Sequence, residues 1–405
     1  MPYTGTAVTG EKHNMGEATR SYTLADIFNA AIAGHLAVAA WRLPHTEAVH
    51  LCLSLQEQLT VGQPDLEESP FGFLFCPFQT TVHQNIFIKA DVYFEAATGK
   101  LTVAPDAPVT ALEQFYSLLA QPTSAAWHVP AADKAPALQQ TNAGYTSAVA
   151  TAVAAMQAGQ MEKVVLSRNT LAPLPDGFSA VDTFAQLQKA YPDAFVALVS
   201  VPEVGTWLCA SPEILVSVDQ EKVFRTTALA GTQPADANAL AATAIWRQKE
   251  IEEQAMVERY ILSCFKRLRL RDYSEVGPRT IIAGNLMHLR TDFKVDLRET
   301  DFPTLGSDML ALLHPTSAVC GLPKEPALAF ILAHEGYDRS YYSGFLGPVS
   351  SAAGTHLYVN LRCMQLLTNQ AILYAGAGIT AESDPQKEWQ ETQHKMQTIW
   401  RVLMC

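Results

Sequence analysis

The segment Tyr374-Ala-Gly-Ala-Gly-Ile379, a polar turn through Ser383-Asp384-Pro385, and then Glu388-Trp-Gln-Glu391-Thr-Gln-His-Lys395 constrain this chain more than any other stretch. A short apolar strand runs into two glycines, which lack the Cβ that would hold a ligand away from the backbone. Pro385 then suits the first position of a helix. The fold must therefore bring a glycine-bearing strand and the start of a helix to one place. On that helix Glu388 and Glu391 stand three residues apart, about 300° of rotation, so both carboxylates lie on one face and can serve one cation. A solvated acidic face gives the same spacing.

A second pair makes the cation reading the stronger one. Ile245, Ile251, Met256, Tyr260, Ile261 and Phe265 recur with helical period, which predicts a helix over 242–268. Glu250 and Glu253 repeat the one-turn spacing on it, beside Glu252 and Glu258. Two separate helices with Glu-x-x-Glu, in a chain with no zinc-type motif, point to a site for a hard cation with oxygen ligands.

The chain has 405 residues, 48% of them hydrophobic, enough for a large core. Its net charge of -12 argues against a nucleic-acid partner, and no Lys/Arg stripe offsets it. Seven cysteines without a CxxC pair point to free thiols and a reducing, cytoplasmic location. No apolar segment suggests a leader or a membrane span, so no membrane partner is expected.

Taken in order, the Ala-rich run from Phe28 to Leu43 has helical character, and Asn85 to Phe94 alternates like a strand. The Ala/Pro/Asp-rich stretch 130–140 is a linker or long loop. Tyr145 to Gln157 is a helix that Gly159 can end, followed by a strand at Lys163-Val-Val-Leu-Ser-Arg-Asn-Thr170. Further strands are expected over 194–200, 206–210 and 214–218, with Ser211-Pro-Glu213 between the last two. Phe224 to Thr232 has the small residues of a turn, 281–291 contains His288, and Ala327 to Glu335 is a short helix ending at Gly336. His356 to Leu367 alternates as a strand carrying Arg362, whose planar fork suits a carboxylate. Taken singly, these residues also fit ordinary structural roles: a lysine at a strand entrance, a glutamate in a turn, a buried histidine or a paired arginine.

Together and in this order they resemble the chorismate-utilising enzymes: isochorismate, salicylate and anthranilate synthases and the large aminodeoxychorismate synthase subunit. The resemblance covers about 145–404 and rests on Lys163-Val-Val-Leu-Ser-Arg168, Ser211-Pro-Glu213, Ala228-Leu-Ala-Gly-Thr232, His314-Pro-Thr-Ser-Ala-Val-Cys-Gly321, Arg339-Ser-Tyr-Tyr-Ser-Gly344 and the C-terminal stretch. It implies an α/β (α+β) fold, a large antiparallel-sheet sandwich with flanking helices. It also implies a flexible N-terminus over 1–21, an N-terminal part over 22–140 and a catalytic core over 141–405, intertwined as one structural domain.

The resemblance further implies roles. Lys163, where water-using members carry a lysine, would be the base that activates water, and Glu213 the acid that protonates the departing hydroxyl. Mg²⁺ would be held by Glu253 and Glu391, with Glu250 and Glu388 in or near its shell. Thr232, His288, Tyr342, Arg362, Gly376, Gly378 and Lys395 would bind chorismate. Ala230 stands where the aminodeoxychorismate branch has a lysine, which disfavours that branch. Isochorismate synthase is therefore the expected activity, with salicylate synthase second and a non-catalytic chorismate-binding protein third. The product would serve menaquinone or siderophore biosynthesis, and the protein would be a monomer or weak homodimer. One departure is Gln254, where the family has histidine after the metal-binding glutamate; glutamine donates hydrogen bonds but does not titrate.

Overall fold

In the computed structural model, residues 22–121, 127–131, 140–235, 241–283 and 286–404 are described. The expected flexible segment 1–21 and most of the linker, 132–139, lie outside them. Among the described residues the strands form two sheets, of ten and nine strands, with antiparallel pairing throughout. The first sheet runs from Gly321–Leu322 through Lys163–Pro173, Gln370–Ile379, Cys363–Leu366, Gly205–Ser211, Phe195–Val201, Ala37–Arg42, Val49–Ser54 and Val92–Glu95 to Lys100–Val103. The second runs from Ser274–Ala283 through Leu286–Asp296, Val223–Pro234, Ile214–Asp219, Gly354–Val359, Phe345–Val349, Gly72–Cys76 and Asn85–Lys89 to Thr60–Val61. Strands from 22–140 thus extend both sheets that the remainder of the chain builds.

The sheets pack face to face, and side-chain alternation shows how. Ala37, Ala39 and Trp41 meet Phe73, Phe75 and Tyr358 of the second sheet, while Val38 and Ala40 point the other way onto Ile27 and Phe28. Helices Leu24–Ala33, Ala180–Ala190 and Pro385–Leu403 cover the outer face of the first sheet, and Gln248–Arg267 with Leu305–Leu313 covers the second. The result is a four-layer sandwich. No helix among the described residues is long and apolar enough to cross a membrane.

This layering corrects several expectations. The Ala-rich run is a helix only over Leu24–Ala33; Ala37–Arg42 is a central strand buried along its whole length, and burial on both faces erases the period-two signal. The small residues 224–232 lie inside the long strand Val223–Pro234, whose register shifts between Ala230 and Thr232 around Gly231. The acidic helix begins at Gln248, not at 242. Strands Gly354–Val359 and Cys363–Leu366 belong to different sheets, and Arg362 sits in the connection between them with φ +47°. Pro278 lies in the exposed edge strand Ser274–Ala283, where a missing N–H removes one docking point for another strand.

Candidate active site

Lys163 opens its strand beside Gln370–Ile379, in a register that pairs Ser167 with Gly376 and Val165 with Gly378. Both glycines therefore lie within the strand and not in a turn after it. A Cβ on Gly378 would stand 2.2 Å from Glu253 Oε1 and 3.1 Å from Lys163 Cε. The room at Gly378 is thus taken by two of the protein's own side chains, brought together from the strand Lys163–Pro173 and from the helix Gln248–Arg267. Lys163 Nζ lies 3.0 Å from Glu253 Oε1 and is fully buried, although the pair is not aligned as a hydrogen bond. Burial pushes the Glu253 carboxyl upward, but Lys163, Lys249 and Lys395 outweigh it and hold the group below the usual carboxylate range.

Glu388 and Glu391 are likewise matched to lysines. The C-terminal helix starts where Asp384 Oδ1 accepts the N–H groups of Gln386 and Lys387 at 3.0 and 2.9 Å, with Pro385 in its first turn. One turn later Glu388 pairs with Lys249. Glu391 Oε1 lies 2.8 Å from Lys395 Nζ, which also donates to Gly376 O at 2.9 Å. Burial and the neighbouring Glu391 raise the Glu388 carboxyl to about 7, against the pull of Lys249. Glu250 Oε2 accepts the Arg247 N–H at 3.1 Å at the start of its own helix. Lys249 carried no signal in the sequence, because its partner lies 139 residues away.

A pocket opens beside these pairs. It is lined by Glu213, Thr232, Glu253, His288, Tyr342 and Arg362, and its floor includes Gly376, Gly378 and Lys395. Ala230 contributes a methyl wall. The empty space, including the open mouth, is about 620 Å³. Lys163 lies just behind Glu253. Thr232 and His288 pair across strands, and His288 Nδ1 lies 3.0 Å from Gly231 O. Burial first, then the charges of Arg362 and Lys395, keep the imidazole well below its usual range and so neutral. A neutral ring that donates from Nδ1 to Gly231 accepts at Nε2, where Arg362 Nη2 lies 3.1 Å away.

Arg362 also donates to Thr398 Oγ1 at 3.3 Å, and it is buried. Burial draws its pKa down to about 10. Among the described residues no carboxylate forms an ion pair with it, although it faces the pocket. A buried guanidinium without an anionic partner is costly unless an anion arrives. Glu213 is also buried, and burial raises it to about 7 despite the nearby positive charges of Lys163, Lys395 and Arg362. Thr316, which the sequence reading did not single out, adds a minor opposing influence. Gln254, next to Glu253, is buried: Oε1 accepts from Ala230 N at 2.9 Å, and Nε2 donates to Glu258 Oε1 at 3.0 Å and Ala228 O at 3.3 Å.

The donor chemistry suits a hard cation. Glu253, Glu388 and Glu391 offer only oxygen, and Glu388 Oε2 is buried without an aligned hydrogen bond. As they stand, however, no three acidic, histidine or cysteine groups among the described residues converge on one point; each carboxylate is turned toward an ammonium.

Two packed antiparallel sheets enclose a pocket that gathers positive charge and a protonatable carboxyl. The sequence profile described as "Chorismate binding enzyme" matches residues 78–404, and the chain belongs to that family. It is 31% identical over 271 residues to the isochorismate synthase DhbC of Bacillus subtilis (strain 168), covering 64% of this chain and 67% of that one. It is 31% identical over 268 residues to the isochorismate synthase EntC of Escherichia coli (strain K12), covering 63% and 65%. The chain thus spans about two thirds of the length of these relatives. The solved structure of MenF, the menaquinone-specific isochorismate synthase of Escherichia coli, superposes with a TM-score of 0.74 at 23% identity, over 95% of this chain and 93% of the other, and so shares its fold.

Proposed function

We propose that this protein is an isochorismate synthase, converting chorismate to isochorismate with Mg²⁺. The observation that supports this reading best is the pairing of Arg362, buried at the pocket without a carboxylate, with Glu213, raised to about 7 in the same pocket. Arg362 binds a substrate carboxylate, and the neutral His288 keeps that guanidinium aimed by accepting from it. Lys163 Nζ takes a proton from water as its oxygen bonds to C2 of the ring. Glu213 gives its proton to the C4 hydroxyl, which leaves as water, so one water enters and one departs. Tyr342 and the backbone at Gly376 and Gly378 close the pocket around the pyruvyl side. Glu253, Glu388 and Glu391 would hold Mg²⁺, which supplies positive charge to a ring carboxylate when bound.

The test is purified protein with chorismate and Mg²⁺ at neutral pH, the products resolved by chromatography and pyruvate followed with lactate dehydrogenase. Isochorismate formed reversibly, lost with excess chelator, is the expected result. Pyruvate and salicylate rising in step with chorismate loss would replace this reading by salicylate synthase. Anthranilate formed on adding ammonia would replace it by an amination reaction, and no turnover at all would leave a chorismate-binding protein.

A further inference from the structure

The carboxylates assigned to the cation are engaged by three ammonium groups, Lys163 with Glu253, Lys249 with Glu388 and Lys395 with Glu391. Lys163 has a role in the proposed reaction, and Lys395 also bonds the pocket backbone at Gly376. Lys249 has neither. It occupies the first turn of the helix Gln248–Arg267, where the positive end of the helix dipole disfavours a cation. A lysine placed against its local preference needs a compensating partner. That partner is Glu388, on another helix, whose side chain is 2% exposed while that of Lys249 is 20% exposed. One oxygen of Glu388 takes the ammonium and the other, Oε2, is buried without an aligned hydrogen bond, the Ser383 hydroxyl being a polar neighbour of the carboxylate.

We propose that Lys249 is a resident counter-cation that competes with a divalent cation for Glu388 and thereby sets the affinity of the cation site. This rests on the reading of Glu253, Glu388 and Glu391 as cation ligands. Without a metal, a buried carboxylate needs a positive charge close by, and Lys249 supplies one from a side chain with a path to solvent. A divalent cation held by Glu388 would displace the ammonium of Lys249, and Glu388 would exchange one charge for two. The fixed positive charge of Lys249 opposes that exchange, since like charges a few ångströms apart in a partly buried site repel by more than RT. The site therefore favours high ambient concentrations of the cation.

The test is the binding of Mn²⁺ to the full-length protein without chorismate, measured from the electron paramagnetic resonance signal of free Mn²⁺ at mildly alkaline pH. Lys249→Met removes the charge and keeps the stem, and its Kd is expected to fall by about tenfold or more. Lys249→Arg keeps the charge, and its Kd stays within about threefold of the parent. In Lys249→Met combined with Glu388→Gln the gain disappears. Lys249→Gln, whose amide still bonds Glu388, serves where Lys249→Met does not fold, with the same direction expected. Mn²⁺ is also expected to raise the Tm of the charge-removed protein more than that of the parent. An equal or larger Kd in a folded charge-removed variant overturns the role of Lys249 and leaves the cation site standing. No Mn²⁺ binding by parent and variants alike overturns the cation site and this inference with it.

Discussion

The Cβ that Gly378 lacks would stand 2.2 Å from Glu253 Oε1. The strand Gln370–Ile379 thus makes room for a carboxylate delivered by a helix some 120 residues earlier in the chain, and Lys163 fills the other side of the same gap. Gly378 has no positive φ, so alanine suits its backbone, and the cost of Gly378→Ala falls on the position of Glu253. Gly378→Ala should lower kcat/KM at least about 100-fold, in line with a misplacement of about 1 Å. Gly376→Ala meets its nearest atoms at 3.1–3.2 Å and should cost less than about tenfold. Steady-state kinetics of the two variants, with melting temperatures to confirm folding, check the difference; equal losses would show that the glycines act through the strand and not through Glu253.

The raised carboxyl of Glu213 sets the pH dependence expected of the proposed reaction. Burial raises its carboxyl to about 7, so below that value the folded protein holds it protonated, as an acid must be, and above it the proton is lost. Turnover should therefore fall through an alkaline limb near pH 7 in the free enzyme, and Glu213→Gln should lower kcat by about 10²–10⁴-fold. The stability effect follows the same sign. The unfolded chain loses this proton near the ordinary glutamate range, and between there and about 7 the folded state binds more protons, so stability declines as pH rises through that window. Glu213→Gln removes this penalty and should melt higher than the parent at pH 8, by scanning calorimetry. An alkaline limb that persists in residual Glu213→Gln activity would assign it to another group.

Much of this site was legible in the sequence, because helical spacing places Glu388 beside Glu391 and ordered motifs survive as short quotations. What escaped had physical causes. Ala37–Arg42 reads as helix in the sequence because a strand buried on both faces carries no alternation. Arg362 reads as part of a strand because a left-handed φ on an arginine leaves no mark on its neighbours. Glu250 also caps its own helix through Oε2, a use of the carboxylate that its spacing to Glu253 does not reveal. Lys249 went unseen because its reason lies on another helix.

Gln254 stands where the sequence resemblance implies histidine, and its contacts set what that substitution would do. Its amide accepts from Ala230 N and donates to Ala228 O and Glu258, tying the helix of Glu253 to the bulged strand at the pocket wall. A neutral imidazole can also accept at one nitrogen and donate at the other, so Gln254→His should change kcat by less than about tenfold. Gln254→Leu loses every bond and leaves Ala230 N unsatisfied, and should be the more damaging variant, through both Tm and kcat. A gain of several orders of magnitude in Gln254→His would mean that the natural glutamine cripples the enzyme and would revive the non-catalytic reading.

In the proposed reaction Lys163 acts on water and Arg362 on a substrate carboxylate, and one substitution should separate the two roles. Lys163 is fully buried behind Glu253, whereas Arg362 and His288 line the cavity itself. Lys163→Met keeps the stem that packs against Gly378 and removes the nitrogen assigned to activate water. Turnover should fall by about 10²–10⁴-fold, the usual scale of general-base catalysis, while chorismate still binds through Arg362. The loss of the ammonium also leaves Glu253 with Lys249 and Lys395 as its positive neighbours, which limits the damage to the fold. Calorimetric titration with chorismate and a chromatographic rate assay on the same preparation measure the two effects separately. Arg362→Met should show the opposite division, with weakened binding dominating. If Lys163→Met loses affinity while keeping its rate at saturation, Lys163 is a binding residue and water is activated elsewhere.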